Sequence, residues 1–68
     1  MDFHWEDGFQ ISVKSEEGIA LIRANREGLR SLASHLLALA EEAPGSHFHL
    51  DDRNSLEDGS DELIVEKE

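Results

Sequence analysis

Alternating apolar and polar residues predict four short strands, arranged along the chain as two pairs. Residues 9–14 (FQISVK) have the period of a half-buried strand, and residues 19–23 (IALIR) are apolar on both faces. A connection of four or five residues that contains a glycine makes a hairpin the simplest link between these two. Residues 46–51 (SHFHLD) alternate again, and residues 62–66 (ELIVE) complete a second predicted pair.

The strongest helical signal lies between the two pairs, from residue 26 to about residue 42. Asn25 is a favoured N-cap residue, and Pro44 stops the helix because the residue before a proline avoids helical angles. One face carries an apolar stripe that we expect to pack on the sheet. The stripe consists of Leu29, Leu32, Ala33, Leu36, Leu37 and Ala40, and the opposite side shows Arg26, Arg30, Ser34, Ala38 and Glu41.

The order strand, strand, helix, strand, strand predicts an α+β fold in two layers. We expect one four-stranded, mainly antiparallel sheet with the helix on one face, forming a single small domain over residues 1–68. The second sheet face would then lack a cover, and Ala20, Ile22 and Ile64 are expected there as a contact surface.

Two shorter features complete the predicted fold. Phe3 and Trp5 precede the first strand and are expected to form either a short extra strand or a flap over the core. Leu56 is the one apolar residue in the polar connection 52–60, so we expect it to anchor that loop to the core.

Length and composition limit the classes of protein that fit. A chain of 68 residues buries only about 60% of its unfolded surface, so its core is marginal. There is no cysteine, which excludes disulfides and thiolate metal sites and agrees with a reducing compartment. The N-terminus has no signal-peptide pattern, and no apolar run approaches the roughly 18 residues that span a bilayer. We therefore expect a cytoplasmic protein that does not enter a membrane.

The charge is unevenly distributed. The chain has sixteen acidic and six basic residues, which gives a net charge of −10. Residues 19–43 carry three of each, whereas residues 44–68 carry eight acids and two bases. A negative field repels nucleic-acid phosphates and speeds the encounter with a basic protein, although acidity of this kind also simply keeps a small protein soluble.

The segment from His47 to Asp51 is the main candidate for site chemistry. In a strand, His47, His49 and Asp51 share one face at a spacing of about 7 Å, which suits a zinc or nickel site. The alternative, which we favour, is a solvated strand face without a metal. No cysteine nucleophile, GxSxG elbow or P-loop is present, so we expect neither an enzyme nor a cofactor.

Several segments together resemble one bacterial family. These are residues 24–40 (ANREGLRSLASHLLALA), 45–51 (GSHFHLD), 54–60 (NSLEDGS) and 62–67 (ELIVEK). Their joint pattern resembles the immunity protein 32 family, from about residue 20 to the C-terminus.

The resemblance implies a small cytosolic α+β protein of polymorphic toxin systems, which protects its producer by binding a cognate toxin. It brings no catalytic residues. The candidate partner contacts are the exposed side chains of its most characteristic segment, for which turn formation and solubility are the competing explanations. They are His47, His49, Asp51, Asp52, Asn54, Glu57 and Asp58. A metal-binding carrier or sensor, and a structural subunit that forms a homodimer, remain the alternatives.

Overall fold

The computed structural model describes residues 3–68 and contains one helix and four strands. The elements are β1 (Ile11–Glu16), β2 (Ile19–Ala24), α1 (Arg26–Ala40), β3 (His47–Leu50) and β4 (Leu63–Glu66). Their type and order are as predicted, and each boundary lies within two residues of its expected position. The α+β class is therefore confirmed.

The first hairpin has a tighter turn than the sequence suggested. β1 and β2 are antiparallel, with Ile11 opposite Ala24 and Glu16 opposite Ile19. Only Glu17 and Gly18 connect them, both with positive φ angles of 51° and 80°, which is the signature of a type I′ turn. The expected loop of four or five residues was wrong, because the ladder continues to the last residue before the turn.

The second hairpin follows the predicted alternation. His47 lies opposite Glu66, and Leu50 lies opposite Leu63, in an antiparallel register. Phe48 and Leu50 are buried, whereas His47 and His49 are exposed on the other face.

The expected four-stranded sheet was wrong: the hairpins form two separate two-stranded sheets. Residues 57–61 lie along the edge of β1 that faces away from β2. The amides of Glu57 and Asp61 donate to the carbonyls of Ile11 and Val13, both at 2.8 Å. On the same edge the Val13 amide donates to a side-chain oxygen, that of Ser60, at 3.2 Å. These irregular bonds occupy the outer edge of β1, so the second hairpin does not join the first sheet through β1.

Both hairpins and the helix nevertheless share one core. It is formed by seven buried side chains from β1, α1, β3 and the loop before β4. They are Ile11, Val13, Leu32, Leu39, Phe48, Leu50 and Leu56. Leu56 is 6% exposed, which confirms that it anchors its loop.

The helix turns a different face to this core than its apolar stripe predicted. The buried positions are Gly28, Ser31, Leu32, His35 and Leu39. Leu29, Leu36 and Leu37 are 55%, 43% and 71% exposed, and Ala33 and Ala40 are exposed as well, so the predicted core stripe was wrong for all its members except Leu32. The orientation follows from close packing at the first turn. A Cβ at Gly28 would stand 2.4 Å from the Gln10 carbonyl oxygen, so only a glycine fits there.

Two further expectations concern the edges of the fold. Phe3 and Trp5 form a flap and no strand: Trp5 stacks on Phe9 at 4.5 Å between ring centroids. Ala20 and Ile22 were expected on the uncovered sheet face, but Ile22 pairs with buried Val13 and therefore shares the core-side face. Residues of β2 are exposed on both faces up to Arg23.

Asn25 holds the start of the helix. Its side-chain oxygen accepts from the amide of Gly28 at 2.8 Å and from that of Gln10 at 3.0 Å. Its side-chain nitrogen donates to the Gly8 carbonyl at 2.9 Å. The predicted N-cap is confirmed, and it also ties α1 to the segment before β1. The one helix in residues 3–68 lacks the length and apolar character needed to cross a bilayer.

Candidate partner-binding surface

The outer face of the second hairpin combines imidazoles, a carboxylate and an exposed apolar side chain. His47 and His49 lie edge to face, with ring centroids 5.0 Å apart. His49 Nδ1 lies 3.1 Å from the Glu62 carboxylate. Ile64 is directly opposite His49 and is 52% exposed. The outer face is therefore a mixed surface with an apolar centre and acidic neighbours.

Asp51 and Asn54 are used to shape the loop that follows β3. The Asp51 carboxylate accepts from the amides of Arg53 at 2.9 Å and Asn54 at 3.1 Å. In return, the Asn54 side-chain oxygen accepts from the Asp51 amide at 3.0 Å, and its nitrogen donates to the His49 carbonyl at 3.2 Å. These reciprocal bonds resemble an Asx turn and leave less of either side chain for a partner.

The remaining acids of the predicted set face solvent. Asp52, Glu57 and Asp58 are all exposed. The only contact of Asp52 among residues 3–68 is a long one, 3.4 Å from the Gly59 amide. Within the same residues, Glu57 and Asp58 make no side-chain hydrogen bond or ion pair. We call Asp52, Glu57 and Asp58 the acidic loop. Its backbone is fixed by the neighbouring turn, while its carboxylates stay open to a partner.

The proposed metal triad does not converge. His47 and His49 are adjacent, but the Asp51 carboxylate is bonded to backbone amides of its own loop. Over residues 3–68 no group of three or more His, Cys, Asp or Glu side chains is placed to share a metal ion.

A second exposed surface, which the sequence assigned to the core, lies along α1. We call it the α1 stripe, and it is formed by Leu29, Ala33, Leu36, Leu37 and Ala40. At 3.6 residues per turn it is centred roughly 120° around the helix from the buried face. The signal that could have revealed it was Gly28, because a glycine inside a helical pattern often marks close packing.

The described part of the chain has open grooves on its surface. One of about 410 Å³ lies between the flap and α1, lined by His4, Glu6 and Leu37 among others. Arg30 also lines this groove and forms an ion pair with Glu6 at 2.7 Å. A groove of about 310 Å³ beside β1 is also open to solvent. His4, Glu6 and Ser34 all line the first groove, but the Glu6 carboxylate is paired with Arg30, and no hydrogen bond within residues 3–68 joins the three side chains.

Within residues 3–68, the one titratable group with a clearly perturbed pKa is His35, on the buried face of α1. His35 is fully buried, and neither ring nitrogen has a hydrogen-bond partner within residues 3–68. Burial lowers the pKa of its imidazole below the usual value of 6.5, and the nearby His4 lowers it further. This imidazole is enclosed by aromatic rings and faces no groove.

Comparison with known proteins gives one match. No curated protein and no solved structure is significantly similar to this chain. A family model described as immunity protein 32 matches residues 20–68, which include β2 except its first residue, α1, the acidic loop and the whole second hairpin. The chain belongs to the immunity protein 32 family.

Proposed function

We propose that this chain is an immunity protein that neutralises a cognate protein toxin by binding it directly in the cytoplasm of the producing cell. The observation that carries the proposal is the family match over residues 20–68. Immunity families are generally non-enzymatic, and a stoichiometric inhibitor needs a surface and no catalytic site. We accordingly propose that the chain catalyses no reaction.

The outer face of the second hairpin, with the acidic loop beside it, is our proposed toxin-contact surface. Ile64 and the rings of His47 and His49 supply side chains that a partner can desolvate. Glu57 and Asp58, in the loop that connects β3 to β4, supply exposed charge. Interfaces commonly place such apolar anchors at the centre and charged groups at the rim.

The charge indicates the kind of toxin surface that fits. Residues 44–68 carry eight acids and two bases, so the second hairpin and its loop form the most acidic part of the chain. A basic toxin surface, such as a cleft that normally holds phosphates, is attracted by this field. Attraction of this kind raises the association rate more than it lengthens the life of the complex.

Partner capture followed by binding kinetics tests the proposal. The toxin would be isolated from the native host with the untagged chain as bait, and then measured by surface plasmon resonance at low and high salt. The double variant Glu57→Lys/Asp58→Lys should slow association by roughly tenfold or more at low salt, and the difference should shrink as salt screens the charges. Ile64→Asp should chiefly accelerate dissociation.

Leu37→Ser provides the matched control, because Leu37 is at least as exposed as Ile64 but lies on the α1 stripe. We expect this variant to bind with unchanged kinetics. If Leu37→Ser lost binding while both hairpin variants bound normally, the toxin-contact surface would be the α1 stripe and not the second hairpin. Failure to recover any toxin would count against the function itself.

A further inference from the structure

β2 is an edge strand whose second side is free. It pairs only with β1, and within residues 3–68 no hydrogen bond reaches its other side. The two-residue turn makes Glu16 and Ile19 a hydrogen-bonded pair, so Leu21 and Arg23 also bond towards β1. The backbone groups that point away from β1 are those of Ala20, Ile22 and Ala24.

Exposed apolar side chains lie on the same strand as these unpaired backbone amides and carbonyls. Ile19, Leu21 and Ile22 are 68%, 49% and 39% exposed. An edge strand with unpaired amides and exposed apolar side chains is a template for pairing with a further strand. Natural proteins usually protect such edges with charges or prolines, and within β2 the sole charged residue is Arg23.

We propose that β2 pairs antiparallel with β2 of a second copy of this chain, around a two-fold axis at Leu21. The charges at the ends of the strand support this occupant. Glu16 ends β1 and Glu17 lies in the turn that leads into β2, whereas Arg23 lies near the end of β2 and Arg26 begins α1. In an antiparallel pair the acidic end of each copy lies next to the basic end of the other, so the edge is complementary to itself.

The same charges select the register. The outward-pointing backbone groups allow a two-fold axis at Ala20, Leu21, Ile22 or Arg23. An axis at Ala20 would pair Ile22 with Gly18 of the turn, outside β2, and an axis at Arg23 would set the two Arg23 side chains directly opposite each other. An axis at Ile22 places the two Arg23 side chains diagonally next to each other, which is repulsive. An axis at Leu21 places Arg23 opposite Ile19 of the second copy and beside its Glu17. It also makes the two Leu21 residues a non-hydrogen-bonded pair, in which side chains approach most closely.

This surface lies apart from the second hairpin, except that Arg23 shares the groove beside β1 with Glu57 of the acidic loop. It lies in residues 19–43, where charges balance, and the surplus acids lie in the flanking segments. Two copies can therefore approach through β2 with less repulsion than through the second hairpin. The inference does not depend on toxin binding.

Cysteine cross-linking tests the register, because the chain contains no cysteine. In the proposed dimer the two Leu21 Cα atoms lie about 4.5 Å apart, within disulfide range. The two Ile19 positions are separated by four strand steps, about 13 Å. Leu21→Cys should therefore form a disulfide-linked dimer much faster than Ile19→Cys, although Ile19 is the more exposed residue. Equal rates would overturn the proposal.

Charge reversal tests the complementarity by sedimentation over a range of concentrations. Arg23→Glu and Glu17→Lys, taken singly, should each weaken self-association by roughly tenfold, because two symmetric pairs are lost. Mixing the two variants should restore it, since both contacts then join unlike charges. A monomer at every concentration, or a dimer that these changes do not affect, would overturn the proposal while leaving toxin binding at the second hairpin intact.

Discussion

The imidazole of His35 lies edge-on against the indole of Trp5, with ring centroids 4.1 Å apart. Phe3 approaches the same imidazole at 4.5 Å, and Phe48 at 5.9 Å. A polar side chain on the helix is therefore the centre of an aromatic cluster that joins the flap, α1 and β3. Since neither ring nitrogen is hydrogen-bonded within residues 3–68, this site favours the neutral imidazole over the charged one.

The first prediction concerns pH. Burial lowers the folded-state pKa of His35, so on acidification the unfolded chain takes up this proton before the folded chain does. The free energy of unfolding therefore decreases as pH falls below 6.5, the pKa of the unfolded chain. Below the lower pKa of the folded chain, His35 causes no further decrease. Urea unfolding between pH 7 and pH 5 should show wild type losing up to about 1.4 kcal/mol per pH unit relative to His35→Leu.

A matched control for this comparison is His47→Gln, which removes an exposed imidazole. The charged group that faces His35 is His4 on the flap, and a double variant with His4→Gln should retain most of the effect because burial is its main cause. Parallel pH curves for wild type and His35→Leu would contradict the assignment.

The second prediction concerns Gly28. In an exposed helix, Gly→Ala stabilises by about 1 kcal/mol. Here the added Cβ would stand 2.4 Å from the Gln10 carbonyl oxygen and 2.9 Å from the Ile11 side chain. Gly28→Ala should therefore destabilise the protein by about 1–3 kcal/mol, as overpacking typically does. Chemical denaturation measures the sign directly, and a stabilised variant would show that α1 does not pack this closely.

The third prediction separates the two apolar faces of the helix. Leu39 is 4% exposed and Leu37 is 71% exposed, although they are only two residues apart. Leu39→Ala should lower the free energy of unfolding by about 2–5 kcal/mol. Leu37→Ala should change it by no more than about 0.5 kcal/mol. Similar losses in both variants would mean that the α1 stripe is buried by another molecule or by a different helix orientation.

The fourth prediction separates loop structure from partner contact. Asp51→Ala removes an acceptor from two backbone amides and should cost about 1–2 kcal/mol of stability. Asp52→Ala removes a neighbouring exposed acid with only a 3.4 Å contact and should be nearly neutral. Thermal unfolding of the two variants provides the comparison. A stability loss for Asp52→Ala as large as that for Asp51→Ala would refute the division of roles.

The sequence alone determined the number, type and order of the elements. Period-two and period-3.6 patterns are local properties, and Asn25 and Pro44 mark the ends of α1 through local backbone chemistry. The exposed positions of His47 and His49 followed from the same alternation. The acidity of the second hairpin required only the composition.

Only the tertiary structure decided which face of α1 is buried and how the hairpins join. The apolar stripe of α1 spans more of its circumference than the core can cover, and the Gly28 contact with Gln10 fixes the rotation at a small-residue face. Likewise, the carbonyls of Ile11 and Val13 at the edge of β1 accept from the amides of Glu57 and Asp61, and the Val13 amide donates to the Ser60 side chain, all of which are distant in sequence. Steric fit and edge pairing arise between segments, so no local pattern contains them.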